Sequence, residues 1–362
     1  MAIRTLVFAL IVAGCSRTTP TASHPEPLVS APRNHLVIAE SDYQTGLLEL
    51  IDLTKSEEGT SFPIHSDAVA RAPQGSGSIF VLNRYLQDSI LVLGEDLLAK
   101  KSNYSVGAES NPQDILWVNE KLALVSRLQA PEILFLNPTT GQEVGEKISL
   151  ANFADSDGNP EMAWMAKDGS NIAIELQRLT KFVPSDFSSL AVLDIETKAL
   201  RIKTLACTNP VTEFKQGPNG EWYVGEAGYM GLISKLDCGI ERLEKGTFSP
   251  QGLIIGEQAL GGDIVDFEVL SDSVGIAIVA SPESQVVSFD PRSGQKIGDV
   301  LPRAPRFQYQ QLLLDRPRKL FYMSDRDPLN YGVRVFSMET LEEIPEARRY
   351  TKLPPYQMSW MD

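Results

Sequence analysis

The sequence predicts an all-β chain folded as a seven-bladed β-propeller, its ring closed by the C-terminal strand pairing with the first blade. Three observations carry this. From residue 34 onward, short apolar runs alternate with turn-rich segments and no sustained helical stripe occurs. One unit then recurs seven times: a β-rich run ending at a turn residue, at Leu50-Ile51-Asp52, Val92-Leu93-Gly94, Phe135-Leu136-Asn137, Val192-Leu193-Asp194, Lys235-Leu236-Asp237, Ser288-Phe289-Asp290 and Val335-Phe336-Ser337. Successive copies lie 42, 43, 57, 43, 53 and 47 residues apart, room for four strands per unit. Finally, an aromatic recurs in the strand that opens a unit, at Trp117, Trp164, Phe214, Phe267 and Trp360. Trp360 stands at the end of the chain, whereas the first unit, beginning at His35, lacks an opening strand. The segment around Tyr356–Met361 is therefore expected to fill that gap and remove two open sheet edges.

Residues 1–14 read as an export signal: Arg4, then an apolar run from Thr5 to Ala13 too short to span a bilayer as a stable helix. Val12-Ala13-Gly14-Cys15 resembles the lipobox of bacterial lipoproteins, which implies a diacylglycerol thioether on Cys15 and cleavage just before it. The acylated terminus would anchor the chain to a membrane through its buried methylenes. Ser16 after the lipidated position points to an outer membrane, facing the periplasm or the cell surface. Residues 15–33 form a tether with four prolines and few large apolar side chains, with a reach on the order of 50 Å. The propeller then occupies 34–362.

A net charge of −14 argues against nucleic acid and anionic lipid as partners. With Cys15 acylated, Cys207 and Cys238 remain as an even pair, so a disulfide is expected in an oxidising compartment. His24, His35 and His65 are the only histidines, which disfavours haem, copper and a two-cysteine metal site. The chain also lacks a GxSxG nucleophile motif, and Gly75-Ser76-Gly77 lacks the lysine of a phosphate loop. Asn137-Pro-Thr-Thr-Gly141 and Asp290-Pro-Arg-Ser-Gly294 read as paired hairpin turns.

Phe80-Val81-Leu82-Asn83-Arg84 followed by Asp88-Ser89-Ile90-Leu91-Val92 resembles the repeat of the YVTN family of β-propellers, with weaker copies near Ile38 and Tyr322. The resemblance implies the fold; family members include enzymes, binding proteins and surface proteins, so it does not select among functions.

Propeller ligands sit on one face or in the central channel. After the second strands come Glu40, Asn83 and Arg84, Arg127, Glu175 and Arg178, Glu226, and Arg326. Arginines recurring there either ring one face to bind carboxylate or phosphate, or brace blade to blade. At the starts of opening strands, Asp114, Glu161, Glu213 and Asp266 would gather around the channel and could hold Ca2+ or another divalent cation. Sugar lactonases of the SMP-30 type bind a metal in such a channel, but their acid, asparagine and acid set has no assignable match here. Asp155-Ser-Asp157-Gly-Asn159 has the alternating oxygens of a calcium loop, yet Pro160 and Ala166 break the EF-hand pattern, which leaves a polar turn between blades.

The leading functional expectation is a non-catalytic binding or scaffold module without a cofactor, tethered in the cell envelope and offering a face to an envelope protein or small ligand. The long interval in blade four supplies a candidate contact, the loop Arg178–Ser189 with Phe182 and Phe187. The alternative is a metal-dependent lactonase or hydrolase of a small sugar-derived substrate.

Overall fold

A computed structural model describes residues 33–55, 59–230 and 234–361 of the chain. The lipobox, Cys15 and nearly all of the tether lie outside these residues. Seven antiparallel four-stranded sheets follow one another in chain order, and neighbouring first strands touch around a central channel. The blades open with Pro355–Met361, Ala68–Arg71, Pro112–Asn119, Met162–Asp168, Lys215–Gln216, Asp263–Ser271 and Tyr309–Asp315. In blade 1 the chain's tail lies beside His35–Ser41, with Leu36 opposite Trp360 and Glu40 opposite Pro355. The head of the chain lacks an opening strand because the tail supplies it.

Alternation explains each strand. In His35–Ser41, Leu36 and Ile38 pack toward blade 7 while Val37 and Ala39 pack toward blade 2, so both faces are covered and the strand reads as nearly continuous apolar. Outer strands such as Lys100–Ser105 have one face in water and become polar at alternate positions. Six of the seven repeated runs end or adjoin a third strand. The exception is Lys235-Leu236-Asp237, which precedes the third strand of blade 5, Gly239–Leu243. A loop between the second and third strands of that blade carries similar residues, and its apolar Leu236 imitated a strand end.

The two Asn/Asp-Pro turns behave as their chemistry requires. Asn137 Oδ1 accepts from Thr139 N and Thr140 N, Asp290 Oδ1 accepts from Arg292 N, and Gly141 and Gly294 close the turns at φ 73° and 66°, where a Cβ would be strained.

Direction of travel fixes two unlike faces. Second-to-third loops and the crossovers between blades open on one, here the loop face; first-to-second and third-to-fourth turns open on the other, the turn face. Both described ends of the chain, Arg33 and Met361, lie at the turn face, where Arg318 donates to the Arg33 carbonyl and to Asn34 Oδ1.

Cys207 and Cys238 are joined as a disulfide, with 5.6 Å between their Cα atoms. It ties the crossover into blade 5 to the residue before that blade's third strand. Closing a loop of 31 residues contributes roughly 3 kcal/mol through the unfolded chain. Cys207→Ser/Cys238→Ser is therefore expected to lower the urea midpoint without changing the far-UV CD spectrum. An unchanged midpoint would remove the bridge from the account of stability.

Candidate functional site

Opening strands bring a set of charged and amide side chains to the waist of the channel. Asp114 of blade 3 accepts from Met165 N of blade 4 at 3.0 Å, and Asp266 of blade 6 accepts from Leu312 N of blade 7 at 2.7 Å. Gln311 of blade 7 accepts from Met358 N of blade 1, and Gln357 of blade 1 accepts from Ala70 N of blade 2 at 3.0 Å. Each side chain thus satisfies a buried N–H on the next blade's opening strand. Glu213 crosses the channel: its Oε1 accepts from Arg71 at 2.8 Å and Gln311 at 3.2 Å, with Gln357 at 3.5 Å.

Two cations of the chain's own neutralise this ring. Arg71 Nε donates to Asp114 at 2.8 Å while its Nη1 serves Glu213, and its guanidinium stacks on Trp164. Lys215 lies 3.1 Å from Asp266 and 3.3 Å from Glu268 and donates to the Leu312 carbonyl. Burial raises Asp266 to about 6 and Glu268 to about 7, with Lys215 pulling both the other way. Asp114 is also raised by burial, against the opposing charge of Arg71. Glu213 lines a cavity of about 120 Å³ on the loop-face side and cavities of about 310 and 650 Å³ toward the turn face; the larger is walled by Phe214, Trp222 and Trp360.

Three of the four expected channel acids therefore converge, and Glu161 does not. It stands before the first strand of blade 4 on the loop face, accepting from Leu179 N at 2.8 Å. There Asp155, Asp157 and Glu161 offer oxygens within 4.8 Å of one another. Asp155 is already engaged by the Thr180 and Ser185 hydroxyls. Burial, partly offset by the Leu179 N–H, pushes Glu161 up to about 8. Glu161 departs from the channel because it stands three residues before Trp164, which holds the channel offset in blade 4; it matches Asn111, three before Asp114, and shares its positive φ at the bend between crossover and strand.

The loop-face arginines act as braces. Arg84 binds Asp67 and the Tyr356 hydroxyl, Arg127 donates to the Val106 and Glu132 carbonyls, and Arg326 donates to the Ser41 carbonyl of the neighbouring blade. Arg178 donates to the Phe187 carbonyl and stacks 3.8 Å from its ring, while Arg326 stacks on Tyr43 at 4.8 Å. Asn83 reaches Ser89 at 3.3 Å, and Glu226 is buried between blades 4 and 5. These side chains support loop tips and blade seams.

The tips themselves are apolar. Tyr43, Tyr85, Leu86, Phe182, Phe187 and Leu329 are exposed on second-to-third loops, whereas the turns of the opposite face expose Leu98 and Val144 among the described residues. In blade 4 the long interval forms a small hairpin, Leu179–Thr180 against Val183–Pro184. Its two-residue turn is Lys181-Phe182, with both φ values positive at 53° and 64°, and Phe182 is 81% exposed.

Sequence reading missed Arg71, Lys215, Gln311 and Gln357. For Gln311 and Gln357 the signal was present, since they hold the offset in their opening strands that Asp114 and Asp266 hold in theirs; Arg71 and Lys215 stand two residues further along, where only the closed ring brings them to the acids.

No protein-family model and no curated protein matches the chain. Among solved structures it is similar to apo AztD from Citrobacter koseri (11% identity, TM-score 0.54, covering 91% of this chain and 98% of that one). It is also similar to a quinoprotein alcohol dehydrogenase-like protein from Bacteroides thetaiotaomicron (13%, 0.56, 91% and 78%). A third is the dihydro-heme d1 dehydrogenase NirN in complex with DHE (13%, 0.57, 92% and 78%). At these identities the likeness shows the propeller fold alone.

Proposed function

We propose that the chain is a lipid-tethered, non-catalytic binding or scaffold propeller of the cell envelope, and that it docks a partner protein on its loop face. The observation that carries this reading is the Lys181-Phe182 turn. Two-residue hairpin turns of this hand favour Asn-Gly because both central residues need positive φ. A bulky exposed aromatic there costs on the order of 1 kcal/mol and gains no burial in the isolated chain. Contact with a partner would give this ring the burial it lacks here, and aromatic residues with stacked arginines are the side chains that concentrate binding energy at interfaces.

The path of the chain supports the same orientation. The described chain begins at Arg33 on the turn face, so a tether joined there would leave the loop tips free for a partner. The Phe80–Val92 repeat, which here spans the second and third strands of blade 2, supports placement among YVTN-like propellers.

A photo-reactive residue at position 182 is expected to give one dominant adduct in intact cells, and the same residue at Leu98 on the turn face none. Replacing Lys181-Phe182 by Asn-Gly should raise stability by roughly 0.5–1 kcal/mol while abolishing the interaction. Equal adducts at 182 and 98, or undiminished binding by the Asn-Gly variant, would defeat the proposal. Cys15→Ala is expected to release the chain from membranes.

The lactonase alternative requires a cation to displace Arg71 from Asp114 and Glu213. Metal-dependent thermal stabilisation lost in Asp114→Ala would favour it.

A further inference from the structure

The seam between blades 4 and 5 contains three acids that the channel and the loop tips leave unexplained. One apolar cluster, with Ala173, Leu190, Val192, Val224 and Leu243, fills this seam. Glu175 alternates with Ala173 on its strand, Glu226 with Val224 and Glu241 with Leu243, so all three carboxyls enter the same interface. Each is 0% exposed. Val224 stands opposite Glu241 and Glu226 opposite Gly239, which sets the two glutamates diagonally on one face of neighbouring strands. Glu241 accepts from Ala206 N at 2.8 Å and Gly252 N at 3.0 Å. No donor meets hydrogen-bond geometry at either oxygen of Glu175 or Glu226, although the Trp164 and Cys207 backbones oppose burial from nearby.

The charged groups around them do not neutralise them. Asp114 and Glu213, on the channel side of Glu175, are spent on Arg71. Lys203 shares the seam-facing row of blade 4 but stands two strands out from Glu175, with Leu190 between, and forms no ion pair with the three acids. Asp168 lies at the turn-face end, held by Trp222 and Gly246. An ionised carboxylate in such a place costs several kcal/mol, and taking up a proton is the cheaper state.

We propose that this seam is a proton-operated latch: Glu226, diagonal to Glu241, and Glu175 each keep a proton, and loss of these protons as pH rises loosens the contact between blades 4 and 5. Burial first, then the Glu241 carboxyl beside it, raises Glu226 well above the usual carboxylate range, and burial does the same to Glu175. The sign follows: groups held above their unfolded values stabilise the fold at low pH, and that contribution disappears as pH climbs through their folded values. A second diagonal pair, Glu40 and Glu49, stands at the ring-closing seam, with burial and then Glu49 raising Glu40 to about 9.

The latch lies under the blade-4 hairpin. That hairpin starts shortly after Glu175, and Gln177 Nε2 ties its base to the Pro210 carbonyl of blade 5 at 2.6 Å. Control of partner docking by pH rests on the hairpin reading above. The latch itself is tested on the isolated chain, so the two can fail separately.

Infrared spectra of the folded full chain at pH 6 should show the carbonyl stretch of protonated carboxylic acids, diminished in Glu175→Gln/Glu226→Gln. Amide exchange, corrected for intrinsic rates, should show the protection of Ala206 and Gly252 falling roughly ten-fold or more between pH 6 and 9 in the wild type. It should fall little in the double variant. Glu109 N, which Asp88 holds at 2.8 Å in another crossover, serves as the internal reference. A protonated-acid band at pH 6 that is undiminished in the double variant, or equal loss of protection with and without the glutamates, would overturn the latch. If the double variant does not fold, Glu226→Gln alone is compared with the wild type in the same two measurements and is read by the same outcomes.

Discussion

A chain ending at Pro354 is expected to lose the monodisperse folded state. Removing Pro355–Met361 strips the inner strand from blade 1, bares the backbone edge of His35–Ser41 and opens the ring where blade 7 meets blade 1. It also removes Gln357, whose carbonyl satisfies Ala70 N, and the Met358 N–H that Gln311 accepts from. Trp360→Ala isolates the packing contribution. The indole donates to the Leu314 carbonyl at 2.9 Å and meets Tyr322 edge-on at 5.2 Å between centroids. Loss of a buried indole costs about 3–5 kcal/mol, or on the order of 10 °C in Tm for a domain of this size. Tyr350→Ala, at a side chain that is 67% exposed, should change Tm little. Differential scanning calorimetry and size exclusion of the three proteins check the order. A truncated chain that stayed monomeric with unchanged Tm would show that the ring does not need its closing strand.

That closure was legible because it depends on counting. An opening-strand aromatic at Trp360 and a first unit short by one strand are both visible in the linear chain, and each strand's burial on two faces leaves an apolar run. The blade-4 hairpin was legible for a similar reason, since an interval of 57 residues exceeds what four strands need. Lys235–Asp237 misled because a loop leucine beside aspartate has the same local composition as a strand end. The channel was half legible. Acids at the start of opening strands announced themselves as a class, whereas Arg71 and Lys215 read as ordinary surface cations until the ring placed them beside Asp114, Glu213, Asp266 and Glu268. Pairing across blades, between residues far apart in the chain, leaves no local trace. The same holds for the seam acids: Glu175, Glu226 and Glu241 occupy alternating positions that, in an outer strand, would face water.

Lys215 shows how strongly the channel depends on such a pairing. Lys215→Met leaves Asp266 and Glu268, both buried, without their cation, and breaking a buried pair in this way costs about 3–5 kcal/mol. The loss should depend on pH with a definite sign. In the native chain Asp266 and Glu268 lie at about 6 and about 7, above their ordinary values, so the fold prefers them protonated and loses that stability as pH rises from about 4 through 7. Lys215 counteracts this by favouring the ionised forms. Without it both groups climb further, so Lys215→Met should be most destabilised at pH 8 and approach the wild type near pH 5, where the acids carry protons. Asp266→Asn/Glu268→Gln in the Lys215→Met background should recover much of the stability at pH 8. The amide oxygen introduced at position 266 can still accept from Leu312 N, as the Asp266 carboxylate does at 2.7 Å, while neither new side chain carries a charge to bury. Urea midpoints at pH 5, 6.5 and 8 read the effect. A deficit independent of pH would assign the role of Lys215 to packing of its stem, and the channel's charge balance would then have to be sought elsewhere in the ring.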